Sequence, residues 1–95
     1  MYLSAYHFDG DPDQLLAGYQ RLMAGLPPES IELHLCAAGE RGITVLDGCP
    51  SREVFTEFST GPEFRAALAE AGLPTPRIEP LGDVHALRVR QEVSR

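Results

Sequence analysis

Ile31-Glu32-Leu33-His34-Leu35-Cys36-Ala37-Ala38-Gly39-Glu40-Arg41-Gly42-Ile43-Thr44-Val45-Leu46 is the stretch on which the fold turns. Its first six residues alternate with period two, which puts Ile31, Leu33 and Leu35 on one sheet face and Glu32, His34 and Cys36 on the other. Residues 38–42, with two glycines, form a turn, and the β-branched run 43–46 is the return strand. A hairpin therefore occupies the middle of the chain, and the fold depends on what flanks it.

Toward the N-terminus, residues 2–8 form a short apolar and aromatic strand closed by Asp9-Gly10-Asp11-Pro12. Asp11 is a good N-cap, Pro12 suits the first helical position, and Gln14 completes a capping box. Leu15, Leu16, Tyr19, Leu22, Met23 and Leu26 then share one helical face, which Gly25 and Pro27-Pro28 terminate. Gly18 within the stripe costs about 1 kcal/mol relative to alanine, and the stripe is long enough to carry it.

Toward the C-terminus, Ser51 caps a helix bearing Val54, Phe55 and Phe58, and Thr60-Gly61-Pro62-Glu63 restarts a second helical piece through Phe64, Ala67, Leu68 and Ala71. Gly72 and Pro74 stop it. Residues 73–82, with three prolines, read as an extended or irregular connector, and the alternating run 84–89 as the last strand, followed by a frayed tail at 90–95.

The order β, α, β-hairpin, broken α, β is the split pattern of a ferredoxin-like βαββαβ fold in the α+β class. It implies a four-stranded antiparallel sheet with the helices on one face, in one domain over residues 1–95. The other sheet face is too apolar to be left in water, so a second copy is expected to close it as a homodimer.

Composition narrows the partners. The net charge is −6, there is no lysine, and the eight arginines are scattered from Arg21 to Arg95, so nucleic acid and anionic membrane are not expected. No apolar run approaches the roughly 20 residues of a bilayer span. Cys36 and Cys49 lack redox or zinc spacing, and no leader is evident, so a cytoplasmic protein with both thiols reduced is the expectation.

The junction Cys49-Pro50-Ser51-Arg52-Glu53-Val54-Phe55, the aromatic pair Phe55 and Phe58, the second helical piece at 64–71 and the ending Pro80-Leu81-Gly82-Asp83-Val84-His85-Ala86-Leu87 resemble the dimeric α+β barrel superfamily, which includes antibiotic biosynthesis monooxygenase domains. The resemblance covers most of the chain and implies a small-molecule-handling dimer. Its activity would be that of a cofactor-independent monooxygenase, isomerase or cyclase acting on a hydrophobic substrate. Several oxygenases of that group use a cavity tryptophan or an asparagine–tryptophan pair, and this chain has neither Trp nor Asn. The competing expectation is a non-catalytic ligand-binding or assembly protein of the same fold.

Histidine is the proton carrier of neutral pH, and all three histidines fall in expected strands. With the first and last strands as antiparallel neighbours, His7 is expected opposite His85, with Leu3 and Ala5 facing Val89 and Leu87. His7 and His85 are then the catalytic acid/base candidates and Tyr6 an orienting hydroxyl, while His34, Tyr2, Phe55 and Phe58 are candidate ligand contacts. His34 sits on an edge strand about 10 Å from the first, so no metal site and no cofactor are expected.

Overall fold

The computed structural model describes residues 1–25 and 31–90, and within them the chain runs β1 (Tyr2–Asp9), α1 (Pro12–Gly25), β2 (Leu33–Ala38), β3 (Gly42–Cys49), α2 (Arg52–Thr60), α3 (Pro62–Ala71) and β4 (Arg77–Asp83). Leu26, the Pro27-Pro28 stop and the tail at 91–95 lie outside the described residues. The strands form one antiparallel sheet in the order β2-β3-β1-β4, the ferredoxin-like arrangement. Among the described residues no helix is long and apolar enough to cross a membrane.

Local signals act where the sequence places them. The Gln14 amide donates to Asp11 Oδ2 at 3.0 Å and the Val54 amide to Ser51 Oγ at 3.2 Å, so both caps satisfy helix-end donors that would otherwise be orphaned. Helix α3 begins at Pro62 and ends at Gly72 in the left-handed conformation. Gly18 repays its helix cost through space: a Cβ there would lie 2.8 Å from Leu73 Cδ2 and 3.2 Å from the Ala71 carbonyl oxygen, so glycine lets α1 approach the chain leaving α3 without displacing Leu73.

Period two along β1 sorts the sheet. Tyr2, Ser4, Tyr6 and Phe8 point into the layer of helices and are all buried, in register with Cys49, Asp47, Val45 and Ile43 of β3. Leu15, Leu22, Phe55, Phe64 and Leu68 close this core from the helix side. The opposite face carries Leu3, Ala5, Leu33, Leu35 and Leu46, and Leu35 is half exposed.

The last strand corrects the sequence reading. It is Arg77–Asp83, all but the last residue of which fall in the segment expected to be an extended or irregular connector, while residues 84–90 lie beyond it outside any strand. Two facts explain the misreading. Pro80 sits on an edge strand, where a missing N–H is tolerated, beside a register shift at Leu3 and Ser4. Ile78, opposite Tyr6, supplies the apolar contact that ties the strand to the core. Leu87 and Val89, expected to pair with β1, are 55% and 66% exposed.

Candidate functional site

One rung of the sheet breaks the apolar pattern of the inner face. Ser4, Asp47 and His34 lie side by side across β1, β3 and β2, all turned toward the helices. Ser4 is 1% and Asp47 9% exposed. An ionised carboxylate this deep needs partners, and one is close: His34 Nδ1 lies 2.6 Å from Asp47 Oδ1. The other ring nitrogen, Nε2, lies 2.6 Å from the Tyr19 hydroxyl of α1. A neutral imidazole then donates through Nδ1 to the carboxylate and accepts at Nε2 from the phenol, which orders a Tyr19–His34–Asp47 chain. The His34 backbone is on the edge strand, but its side chain is only 24% exposed.

Beside this rung lies a cavity of about 500 Å³ between the sheet and helices α2 and α3, within the size range of small-molecule sites. Phe55, Phe58 and Phe64 form its helix side, and Ser4, Tyr6 and Asp47 its sheet side. A smaller void of about 30 Å³, reaching Tyr19 and His34, shares Tyr6, Asp47, Phe58 and Phe64 with it. The hydrogen-bonded chain thus adjoins the apolar chamber at Asp47.

Burial raises the Tyr6 hydroxyl to about pKa 12; the neighbouring Ser4 hydroxyl opposes this in part and the Asp47 charge adds to it. Tyr6 is therefore a neutral phenol across the physiological range, able to donate a hydrogen bond into the cavity. Burial likewise pushes Tyr19 up, with the charges of Cys36 and Asp47 adding, so it stays protonated against His34. Cys36 and Cys49 are free thiols, both raised by burial. Cys36 stands opposite Val45, which is four residues before Cys49 along β3. At about 3.3 Å per residue this is roughly 13 Å, beyond disulfide reach.

Of the residues singled out from sequence, the structure brings Tyr6, Phe55, Phe58 and His34 to the two adjoining voids. Tyr2 stands behind this wall, its ring 5.4 Å from that of Phe55. His7 is on the opposite sheet face, bonded to Thr44 Oγ1 at 3.1 Å and Glu79 Oε1 at 2.9 Å. The proposed pairing of His7 with His85 is not formed. His7 faces Arg77, whereas Tyr2 at the far end of β1 faces Asp83, and exposed His85 follows two residues later. The length of β1 from Tyr2 to His7, roughly 17 Å at about 3.3 Å per residue, separates the two regions. The cause is the displaced β4.

Asp47 and Tyr19 were missed by sequence reasoning. Ending the return strand at Leu46 hid the signal, which is that Ile43, Val45, Asp47 and Cys49 share one face, with a carboxylate in a core row. Among the described residues no group of three or more His, Cys, Asp or Glu is placed to hold a metal ion. Comparison with known proteins returns no matching family model, no matching curated sequence and no matching solved structure.

Proposed function

We propose that this domain handles a hydrophobic small molecule carrying a carbonyl group, and that it moves a proton on it without a cofactor, as an isomerase or cyclase does. The observation that carries this reading is the placement of a buried carboxylate, Asp47, and a neutral phenol, Tyr6, on one wall of an aromatic cavity. Asp47 would take a proton from the carbon beside the carbonyl, forming an O–H bond as the C–H electrons shift onto the carbonyl oxygen. Tyr6 would donate its hydrogen bond to that oxygen where the charge develops. Returning the proton at another carbon completes an isomerisation with no oxidant consumed. The His34 N–H holds the carboxylate in position, and Tyr19 holds His34.

A direct test follows hydrogen–deuterium exchange at the α-carbon of α-tetralone by NMR in heavy water. The protein should accelerate exchange above buffer, and Asp47→Asn should lower the acceleration by about 10²–10⁴-fold. Binding of the uncharged fluorophore N-phenyl-1-naphthylamine, with no exchange in any variant, would instead support the ligand-binding reading of the same cavity.

The second element of the proposal is a homodimer closed through the open sheet face, in the manner of a dimeric α+β barrel. Leu3, Ala5, Leu33, Leu35 and Leu46 make the half of that face away from His7, Thr44 and Glu79 apolar, and the exposed Leu87 and Val89 add apolar surface. Two free thiols fit a cytoplasmic setting. Sedimentation at micromolar concentration should give about twice the 10.4 kDa chain mass, and Leu35→Arg should return it to one chain. A parent protein that sediments as a single chain would remove the barrel.

A further inference from the structure

The cavity's charge is as informative as its shape. Its lining holds three carboxylates, Asp47, Glu57 and Glu63, and among the described residues no arginine or histidine. Asp47 is nine-tenths buried, and among the described residues only one of its two carboxylate oxygens has a hydrogen-bond partner. Glu57 and Glu63 are exposed, which places them at the solvent edge, where α2 hands over to α3. Even with His34 protonated against Asp47, these two leave the edge negative.

Two neighbouring sources of positive potential are not free to serve an anion. Arg21 borders a neighbouring depression across Gly25 and Ala67, and its guanidinium donates twice to the Ala71 carbonyl, at 3.1 and 2.8 Å. The N-terminus of α3 opens on Pro62, which has no N–H to offer, and carries Glu63 in its first turn. An anion entering this chamber would give up its hydration without a counter-charge. A cation would meet carboxylates at the edge and the faces of Phe55, Phe58 and Phe64 inside.

We infer that the carbonyl-bearing ligand of this cavity is also a hydrophobic amine: an apolar body lodged among Phe55, Phe58 and Phe64, with a protonated nitrogen held at the Glu57–Glu63 edge. This rests on the cavity being the ligand site. It adds a charge selectivity that shape and apolar lining alone do not imply.

The test uses three probes of one size displacing N-phenyl-1-naphthylamine from the full chain: 1-naphthylmethylamine, 1-naphthalenemethanol and 1-naphthoate. The amine should bind most tightly and the acid most weakly, with roughly tenfold or more between them at low salt and a smaller gap at high salt. The double variant Glu57→Gln, Glu63→Gln should bring the amine to within about threefold of the alcohol and leave the alcohol unchanged. Both positions are exposed, and a circular-dichroism melt establishes that the variant is folded. An acid that binds as tightly as the amine, or an amine-to-acid ratio that the double variant does not move, overturns the selectivity while the alcohol still reports a working cavity. Failure of all three probes to bind removes the cavity as a ligand site, and the selectivity with it.

Discussion

Gly42→Ala is expected to leave little folded protein in conditions where the parent is fully native. Gly42 opens β3 at φ 153°, and a Cβ built there lies 1.9 Å from the Phe8 carbonyl oxygen and 3.0 Å from its carbon. Both atoms belong to the backbone of the neighbouring central strand, so no side chain can swing aside. Strained φ and overpacking each cost about 1–3 kcal/mol, against a total stability of about 5–15 kcal/mol for a domain. Gly39→Ala, three residues earlier in the same hairpin, meets nothing within 4 Å and serves as the control. Urea denaturation should show a large loss for Gly42→Ala and a shift within about 0.5 kcal/mol for Gly39→Ala. Equal midpoints for the two would mean that β1 and β3 do not approach as described.

Phe55→Ala should cost far more stability than Phe58→Ala, the neighbouring truncation on the same helix. Phe55 is 7% exposed and touches both inward tyrosines of β1, with ring centroids 5.4 Å from Tyr2 and 6.5 Å from Tyr6. Removing a buried phenylalanine costs about 3–5 kcal/mol, which in a domain of this size lowers Tm by roughly 15–30 °C. Phe58 lines the same cavity but is only partly buried, and its main aromatic contact is Phe64 at 4.6 Å. Phe58→Ala should therefore cost less than half as much by thermal melt while weakening binding of N-phenyl-1-naphthylamine. If the two truncations cost the same, α2 is not anchored through Phe55.

These contrasts show which parts of the molecule its sequence makes legible. Alternation over residues 31–46, the Asp11 and Ser51 caps and the Gly61-Pro62 break act locally, and each element they define is present. Strand β4 is different, because its stability comes from a place in the sheet rather than from propensity. Ile78 against Tyr6 holds a strand that Pro80 would argue against, while the regular alternation at 84–89 forms no strand and is tied to the start of the chain by the Val84 amide, which donates to the Met1 carbonyl at 2.8 Å. His7 and His85 depended on that register and separate with it. His34 was placed on a strand face with Cys36 and Glu32, but its partners come from a helix and a strand distant in sequence, Tyr19 and Asp47. Pairings of that kind are set by tertiary contact and leave no spacing to read.

Pro80 carries a consequence for how copies of the chain can grow together. A sheet edge with a full row of donors invites another strand, then another, and joining edge to edge in that way has no natural end. Along β4 the row lacks the Pro80 donor, and the register shift beside it disturbs the regular rung spacing that a docking strand would need. Stacking face to face, by contrast, terminates at two. The same proline that obscured the last strand in the sequence thus works against filaments, and leaves finite pairing as the easier route to covering the open leucines.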